Sequence, residues 1–479
     1  MRILFLRPNN KNWRQLVHPL GLMQLSAYIK ERRPGRDEIR ILDSKARVLR
    51  EPELERKIRE FSPDVIGISS VVNELESTHG FASSAKKAAP AAKVVLGGSY
   101  ASAYPEVGLA DTNIDCAVIG EGELTFVELL GALEKGVWEL EKIKGLAFMK
   151  GGALQRTPPR EFIEDLDTLP FPDWDAIDLS DYPGRRRMSV LNNDNWMSLF
   201  TSRGCPYRCI FCHKIFGKRF RARSAEKVVE EITILHDKYG VKEFDVIDDI
   251  FNCDKARTEK ICDLLAQKDY KISLGFAYGL RVDALDENLI TKLKKAGTKN
   301  INFPVESVEP RIQRVSGKNL DVANISRLID HAVDLGIFCT GVFMLGLPTE
   351  TPEEMENSIR FAERSRLHSA EFAIPAPFKG TALWDMTRVS GAGGREDDSF
   401  NYTYFRRNVN PALEKLHRSA YLRFYGSPGR IFRVLKAYFS ISPPSALFWR
   451  LASVFRHLTQ YDPSAARKLK GPPINIRKM

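Results

Sequence analysis

The chain reads as α/β throughout: a Rossmann-like parallel-sheet domain, a (β/α)6-type partial TIM barrel, and a helical C-terminal extension. Three observations predict this. Short apolar runs alternate with helical patterns over the first 135 residues, and the alternation resumes from Met197. Alternation at that spacing gives a parallel sheet covered on both faces. The chain has 479 residues, 43% of them hydrophobic and 28% charged, which suffices to bury cores in several domains.

In the first stretch, Ile3–Leu6, Ile39–Asp43, Asp64–Ser70, Lys93–Leu96 and Cys116–Ile119 have strand character. Leu20–Lys30, Glu53–Phe61, Gly80–Ala89 and Thr125–Glu134 have helical spacing. Residues 139–190 break the rhythm with Pro158, Pro159, Pro170, Pro172 and Pro183, and read as an extended connector with strand character at Gly145–Met149. Six strands follow: Met197–Thr201, Phe244–Ile247, Ser273–Ala277, Asn300–Pro304, Cys339–Leu345 and Ala370–Ile374. Helical segments at Ala225–Tyr239, Thr258–Gln267, Glu287–Ala296, Val322–Leu335 and Pro352–Ser365 lie between them, as a barrel requires. Ser390–Gly394 marks a loop. The domains expected are 1–138, a connector 139–190, a barrel 191–392 and an extension 393–479.

The formal charge is +11. From Phe405 onward there are fifteen Lys/Arg against Glu414 and Asp462, so this segment is +13 and the rest −2. The basicity is a tail rather than a property of the body, which weakens a nucleic-acid reading of the whole. The seven cysteines have no pattern of a secreted disulfide framework. The start, MRILFLRPNN, lacks a signal-peptide pattern, and no apolar run nears 18 residues. A reducing, cytoplasmic setting is expected, with thiols available as ligands.

The strongest motif is Cys205-Pro-Tyr-Arg-Cys209-Ile-Phe-Cys212, directly after the first barrel strand. Thiolates suit iron–sulfur clusters or zinc. A structural zinc site needs four ligands, and His213 sits awkwardly beside Cys212 for one metal. Three thiolates on a four-iron cluster leave one iron open to chelate a substrate.

This Cys-x3-Cys-x2-Cys order, opening a βα barrel, resembles the radical S-adenosylmethionine superfamily. The resemblance implies a 4Fe-4S cluster on Cys205, Cys209 and Cys212, with S-adenosylmethionine on the open iron and Phe211 near its adenine. Further S-adenosylmethionine contacts are implied at strand ends: Asp248 and Asp249 after the second, where the family's Gly-Gly-Glu is missing; Arg281 after the third; Glu306 and Ser307 after the fourth; Gly346 after the fifth. Each is also a candidate cap or turn residue.

The first domain lacks GxGxxG and Walker A patterns. It has His18-Pro-Leu-Gly21, Ser69-Ser70, Gly97-Gly98-Ser99 and Gly120-Glu121-Gly122-Glu123 at its strand ends. The set resembles the cobalamin-binding domain found ahead of radical S-adenosylmethionine barrels. Cobalamin contacts are thereby implied at His18, Ser69, Ser70, Gly97, Gly98, Ser99, Gly120, Glu121 and Gly122. The family's Asp-x-His-x-x-Gly motif has Asp where Leu16 stands here, so cobalamin without a protein ligand to cobalt is expected. Cys116, Cys253, Cys262 and Cys339 read as structural thiols.

Together the resemblances imply a cobalamin-dependent enzyme that methylates an unactivated carbon of a small, lipidic or isoprenoid metabolite through a 5′-deoxyadenosyl radical. An oxidative cyclase or a rearrangement using the same cofactors is the alternative, and a non-catalytic cobalamin sensor is opposed by the intact Cys205, Cys209 and Cys212 set. A tRNA methylthiotransferase would need three cysteines in the first domain, which holds only Cys116. A flavodoxin- or ferredoxin-type electron donor is implied. The tail, with Arg/Lys interleaved among Phe, Tyr and Trp in two amphipathic segments split by Pro443-Pro444, leaves open packing on the barrel, peripheral contact with anionic lipid, or nucleic acid.

Overall fold

The computed structural model describes residues 1–9, 16–191, 193–389 and 411–439. It divides into two compact units, one ending at Tyr182 and one beginning at Pro183.

In the first unit, β1 (Arg2–Arg7), β2 (Glu38–Asp43), β3 (Val65–Ser69), β4 (Lys93–Gly97) and β5 (Cys116–Val118) form a parallel sheet in the order β2-β1-β3-β4-β5. Helices α1 (Leu20–Arg32), α2 (Glu51–Phe61), α3 (Leu75–Ala88), α4 (Gly98–Ala103), α5 (Pro105–Gly108) and α6 (Glu123–Glu134) connect them. Ile3, Phe5, Val65, Val95, Val118 and Phe126 are among the residues that fill the core. The strand order reverses at β1, so a crevice opens between the loops after β1 and β3, where such sheets bind ligands.

The segment expected to be a connector does more than connect. Its β6 (Leu146–Lys150) and β7 (Ala153–Arg156) extend the sheet antiparallel beyond β5. Downstream, Leu166 and Leu169 pack on Tyr28, and Asp173 accepts from Ser26 Oγ at 2.5 Å and Lys30 Nζ at 2.6 Å.

The second unit holds six parallel strands in chain order: β8 (Trp196–Leu199), β11 (Glu243–Val246), β12 (Ser273–Phe276), β13 (Thr298–Glu306), β14 (Phe338–Met344) and β15 (Ser369–Ala373). A two-residue pair, β9 (Ser202–Arg203) with β10 (Arg221–Ala222), stands apart. The intervening helices are α7 (Ala225–Tyr239), α8 (Lys255–Gln267), α9 (Glu287–Lys295), α10 (Pro310–Val315), α11 (Val322–Asp334) and α12 (Pro352–Arg364), with α13 (Ala382–Val389) after β15. Ser224, Asp254, Asp286, Asp321 and Thr351 cap α7, α8, α9, α11 and α12 by accepting from backbone N–H groups.

One ion cluster lies inside the six-stranded sheet. The guanidinium of Arg187, fully buried, donates to Asp245 at 2.6 and 2.9 Å and to Glu243 at 2.7 Å, and covers the ring of Trp196. A Cβ on Gly275 would stand 2.6 Å from Asp245 Oδ1, so the cluster requires glycine there.

Two C-terminal helices, Pro411–Tyr425 and Pro428–Phe439, are described. The helix expected from Arg423 is thus interrupted at Gly426-Ser427. The Ser390–Gly394 loop, the 392/393 boundary and the second expected amphipathic segment lie outside the described residues. The first of these helices roofs the outer edge of β15. Tyr421 and Tyr425 hydroxyls bond the N–H and C=O of Phe372 and Ala370 at 3.1–3.3 Å, and His417 Nε2 lies 2.8 Å from the Phe372 carbonyl. Arg423 holds Glu356 and Glu363, and the buried Arg430 donates to the carbonyls of Ala362, Glu363, Ser365 and Leu367 at the end of α12. No helix among the described residues is long and apolar enough to cross a membrane.

Candidate functional site

The cysteine loop leaves β8 under tight control. Asp248, buried at the end of β11, accepts from Thr201 N, Thr201 Oγ1 and Ser202 Oγ, each at 2.6 Å. Burial pushes this carboxyl up, against the pull of Arg257 and the two hydroxyls. Asp248 therefore spends both oxygens on the root of the loop. Gly204 follows with φ +80°, and a Cβ there would lie 2.3 Å from the Arg219 carbonyl. The β9–β10 pair then closes the loop by joining Arg203 to Arg221. Ile210 N donates to Ser316 O at 3.0 Å, Leu383 N donates to Ile210 O at 2.9 Å, and a Cβ on Gly317 would stand 2.6 Å from Arg208 O. These contacts come from four different parts of the barrel.

Within the loop, Cys209 is buried, Cys205 half-buried and Cys212 exposed. A hydrogen bond shared between Cys212 and Cys209 holds the Cys209 thiol down to about 6 and the Cys212 thiol up; Lys318 and Arg281 add to the lowering at Cys209. Burial raises Cys205. Metals take the thiolate, so a cationic surround that favours it suits a ligand set. Among the described residues no three His, Cys, Asp or Glu side chains converge as they would on one metal ion. The His213 ring lies 5.4 Å from that of Phe378, and burial lowers its pKa. Three thiols carried on one loop suit an iron–sulfur cluster.

Above the loop, Lys318 Nζ lies 3.0 Å from Glu306 Oε1. Burial would lower the pKa of Lys318, but Glu306 and the Cys209 thiol outweigh it and leave it raised. Glu306 itself has φ +65°, a strained conformation for a non-glycine residue, and its Oε2 is buried without a partner. An unmatched carboxylate oxygen beside the thiols is an acceptor in search of an amine or hydroxyl. Next to it, the buried Ser307 donates to Glu350 Oε1 at 3.3 Å, and Glu350 Oε2 accepts from Gly346 N at 2.8 Å and Leu347 N at 3.0 Å. Burial, opposed by those hydrogen bonds, raises the Glu350 carboxyl to about 7. Gly346 has φ +87°, and a Cβ there would meet Leu413 at 2.7 Å.

Arg281 stacks its guanidinium 3.3 Å from the centre of the Tyr207 ring, donates to Lys318 O at 2.6 Å and pairs with Asp283 at 2.7 Å. Asp249 Oδ2 accepts from Gly204 N at 3.3 Å, and its carboxyl is pushed up by burial. Phe211 is half-buried within the loop. Lys318, Tyr207 and Gly317 are the residues sequence reasoning did not find. Lys318 lies 106 positions from Cys212 and belongs to no motif.

In the first unit the expected residues gather on the carboxyl edge of the sheet. Ser69 ends β3 and Ser70 follows it, Gly97 ends β4 with Gly98 and Ser99 after it, and Gly120–Gly122 follow β5. Two of these turns are sewn together: Ser70 N donates to Gly97 O at 3.2 Å and Tyr100 N to Ser70 O at 3.1 Å. A Cβ on Gly98, at φ +85°, would stand 2.4 Å from Ser70 O. Glu121 Oε2 accepts from Ile163 N at 2.9 Å, and a Cβ on Gly122 would meet Leu25 at 3.3 Å. His18, buried in the loop after β1, stacks on Tyr182 with ring centres 4.5 Å apart. The Tyr182 hydroxyl in turn donates to Asp43 at 2.8 Å. Val71 and Leu124 stand exposed after β3 and β5. Small turns at these strand ends let a broad ligand approach the backbone closely.

The two sites therefore define a radical S-adenosylmethionine enzyme that also carries a cobalamin domain. A family model of the radical SAM superfamily matches residues 199–362, and one of the B12 binding domain matches residues 7–130. The chain is 32% identical to the uncharacterized methyltransferase PH0819 of Pyrococcus horikoshii, over 86% of this chain and 88% of that one. It is 27% identical to the cytidylyl-2-hydroxyethylphosphonate methyltransferase of Streptomyces wedmorensis, over 85% and 86%. The solved radical S-adenosylmethionine methyltransferase TsrM of Kitasatospora setae superposes with a TM-score of 0.68 at 20% identity, covering 82% of this chain and 77% of TsrM. The chain belongs to the cobalamin-binding-domain-containing radical S-adenosylmethionine enzymes, and is of their methyltransferase type. Its cofactors are a 4Fe-4S cluster, S-adenosylmethionine and cobalamin.

Proposed function

We propose that this enzyme methylates an unactivated carbon of a small, apolar metabolite. The observation that carries this reading is the pairing, in one chain, of the thiol loop with the glycine-edged sheet; radical formation alone needs no cobalamin domain. When bound, the cofactors supply a methyl group and a 5′-deoxyadenosyl radical able to abstract hydrogen. The chain's own residues bind and position. Cys205, Cys209 and Cys212 hold the cluster. Asp248 anchors the root of their loop rather than touching S-adenosylmethionine. Glu306 offers its free oxygen to the amine or a ribose hydroxyl, Arg281 and Tyr207 wall the loop, and Ser307, Glu350 and Gly346 shape the turn beside the adenine, with Phe211 and Asp249 at its margin. In the first domain His18, packed on Tyr182, would stand beside the bound cobalamin. The turns at Ser69-Ser70, Gly97–Ser99 and Gly120–Gly122 line the cobalamin tail.

The test is anaerobic reconstitution with cobalamin and S-adenosylmethionine labelled in its methyl group. Label appearing in an extracted lipid or small metabolite supports the reading. Deoxyadenosine release with no label transfer favours the oxidative cyclase instead, and label in RNA rejects both.

The electron comes, on this proposal, from a flavodoxin- or ferredoxin-type protein. Residues 204–225 carry six Lys/Arg and no acid, and Arg208, Lys214 and Arg219 are exposed, which suits an acidic partner. Lys214→Glu with Arg208→Glu should slow cluster reduction by flavodoxin and leave reduction by dithionite unchanged; equal rates with flavodoxin would reject this surface. On the same proposal the enzyme works in the cytoplasm, in peripheral contact with a membrane.

A further inference from the structure

The helix Pro428–Phe439 buries Arg430 and Tyr438, yet its outer side is apolar as well. Its Arg430 is buried, 4% exposed, while Phe432 is 71% exposed, Phe439 52% and Ile431 48%. Leu422, on the helix before, is 60% exposed. Residues 432, 435, 436 and 439 fall on one helical face. That face carries Phe432, Leu435 and Phe439 with the exposed Lys436 among them. Arg430 explains why the helix is docked this way round, since it satisfies the last carbonyls of α12. It does not explain why the opposite face is aromatic. Folded chains seldom leave a cluster of large apolar side chains in water without a use for it.

We propose that this face seats on an anionic lipid surface. The charge of the chain selects the occupant. Residues 411–439 carry six Lys/Arg against Glu414 alone, so a second copy docking here would set like against like. Nucleic acid would use the aromatic rings for stacking but gains nothing from Ile431 and Leu422. A bilayer takes both aromatic and aliphatic side chains at its acyl boundary, with Lys436 at the headgroups. The helix preceding this face begins beside the Gly346 turn, where Leu413 packs, so two consecutive helices run from that turn to the exposed face. The inference draws its purpose from the apolar acceptor proposed above and its support from the helix alone.

The experiment is cosedimentation of the full chain with vesicles of equimolar phosphatidylglycerol and phosphatidylcholine, beside vesicles of phosphatidylcholine only. The expected result is pelleting with the anionic vesicles, weakened by salt, and reduced about tenfold in Phe432→Ser/Phe439→Ser. Retained iron loading and deoxyadenosine release in that variant show that the fold and the radical chemistry survive. Should the pair fail to fold, Phe432→Ser alone makes the same comparison. The proposal is overturned if the unaltered chain stays in the supernatant, if the variant binds as well as its parent, or if sizing shows a dimer that the variant dissociates. None of these outcomes depends on label transfer, so failure here and failure of the methylation reading are separable.

Discussion

Lys318 neutralises only half of Glu306. One carboxylate oxygen lies 3.0 Å from its ammonium, and the other is buried with no partner. Glu306→Gln keeps the shape and removes the charge, and should weaken S-adenosylmethionine binding by about 10- to 100-fold, the worth of one charged hydrogen bond. Iron content should not change. Glu306→Ala goes further and strands a buried ammonium, at about 3–5 kcal/mol of stability; Lys318→Met in the same chain should restore part of that. Unaltered S-adenosylmethionine affinity in Glu306→Gln would remove Glu306 from the site.

Glu350 gives a pH signature. Its carboxyl is raised by burial to about 7, so the folded chain keeps a proton that the unfolded chain has already released. Stability should therefore fall as pH rises from the ordinary glutamate range through about 7. Glu350→Gln should flatten that slope while preserving an acceptor for Gly346 N and Leu347 N. Thermal midpoints at about pH 5 and about pH 8 decide it, and an unchanged difference between them speaks against Glu350.

Gly98→Ala probes the cobalamin edge. The added methyl would meet Ser70 O at 2.4 Å with φ at +85°, so the β3 and β4 turns must separate. The expected cost is about 1–3 kcal/mol, with cobalamin binding lost before the barrel's iron content changes. Absorbance of the reconstituted protein reads both. Cobalamin retained at the parent level would show that the turn does not touch it.

Arg187→Met leaves Asp245 and Glu243 facing each other inside the sheet. Loss of the central cation from this buried cluster should cost about 3–5 kcal/mol. A second substitution, Asp245→Asn, should recover part of it, because the two residues are coupled. Denaturant midpoints of the single and double variants provide the comparison; additive effects would contradict the pairing.

Much of this was visible in the sequence, for identifiable reasons. The six barrel strands and their helices lie within a few residues of expectation, because buried parallel strands are short apolar runs and Ser224, Asp254, Asp286, Asp321 and Thr351 announce the helices that follow. The thiol trio was legible because its spacing is local. What escaped depends on distant approach. Lys318 meets Glu306 only once α10 has folded back over the cysteine loop. The hydrogen bonds that Asp248 accepts from Thr201 and Ser202 join residues 46 and 47 positions apart, which no local spacing shows. β6 matches the strand character expected at Gly145–Met149, whereas β7 was obscured by the prolines that follow it.

Among the described residues the six-stranded sheet ends at β15, and three side chains cover that open edge. Tyr421, Tyr425 and His417 answer the outward backbone groups of Ala370 and Phe372 one by one. A chain cut back to the catalytic core would bare that edge and invite other chains to pair with it. The extension is thus a built-in guard against clumping, and shortening it to obtain a tidier protein should yield a less soluble one.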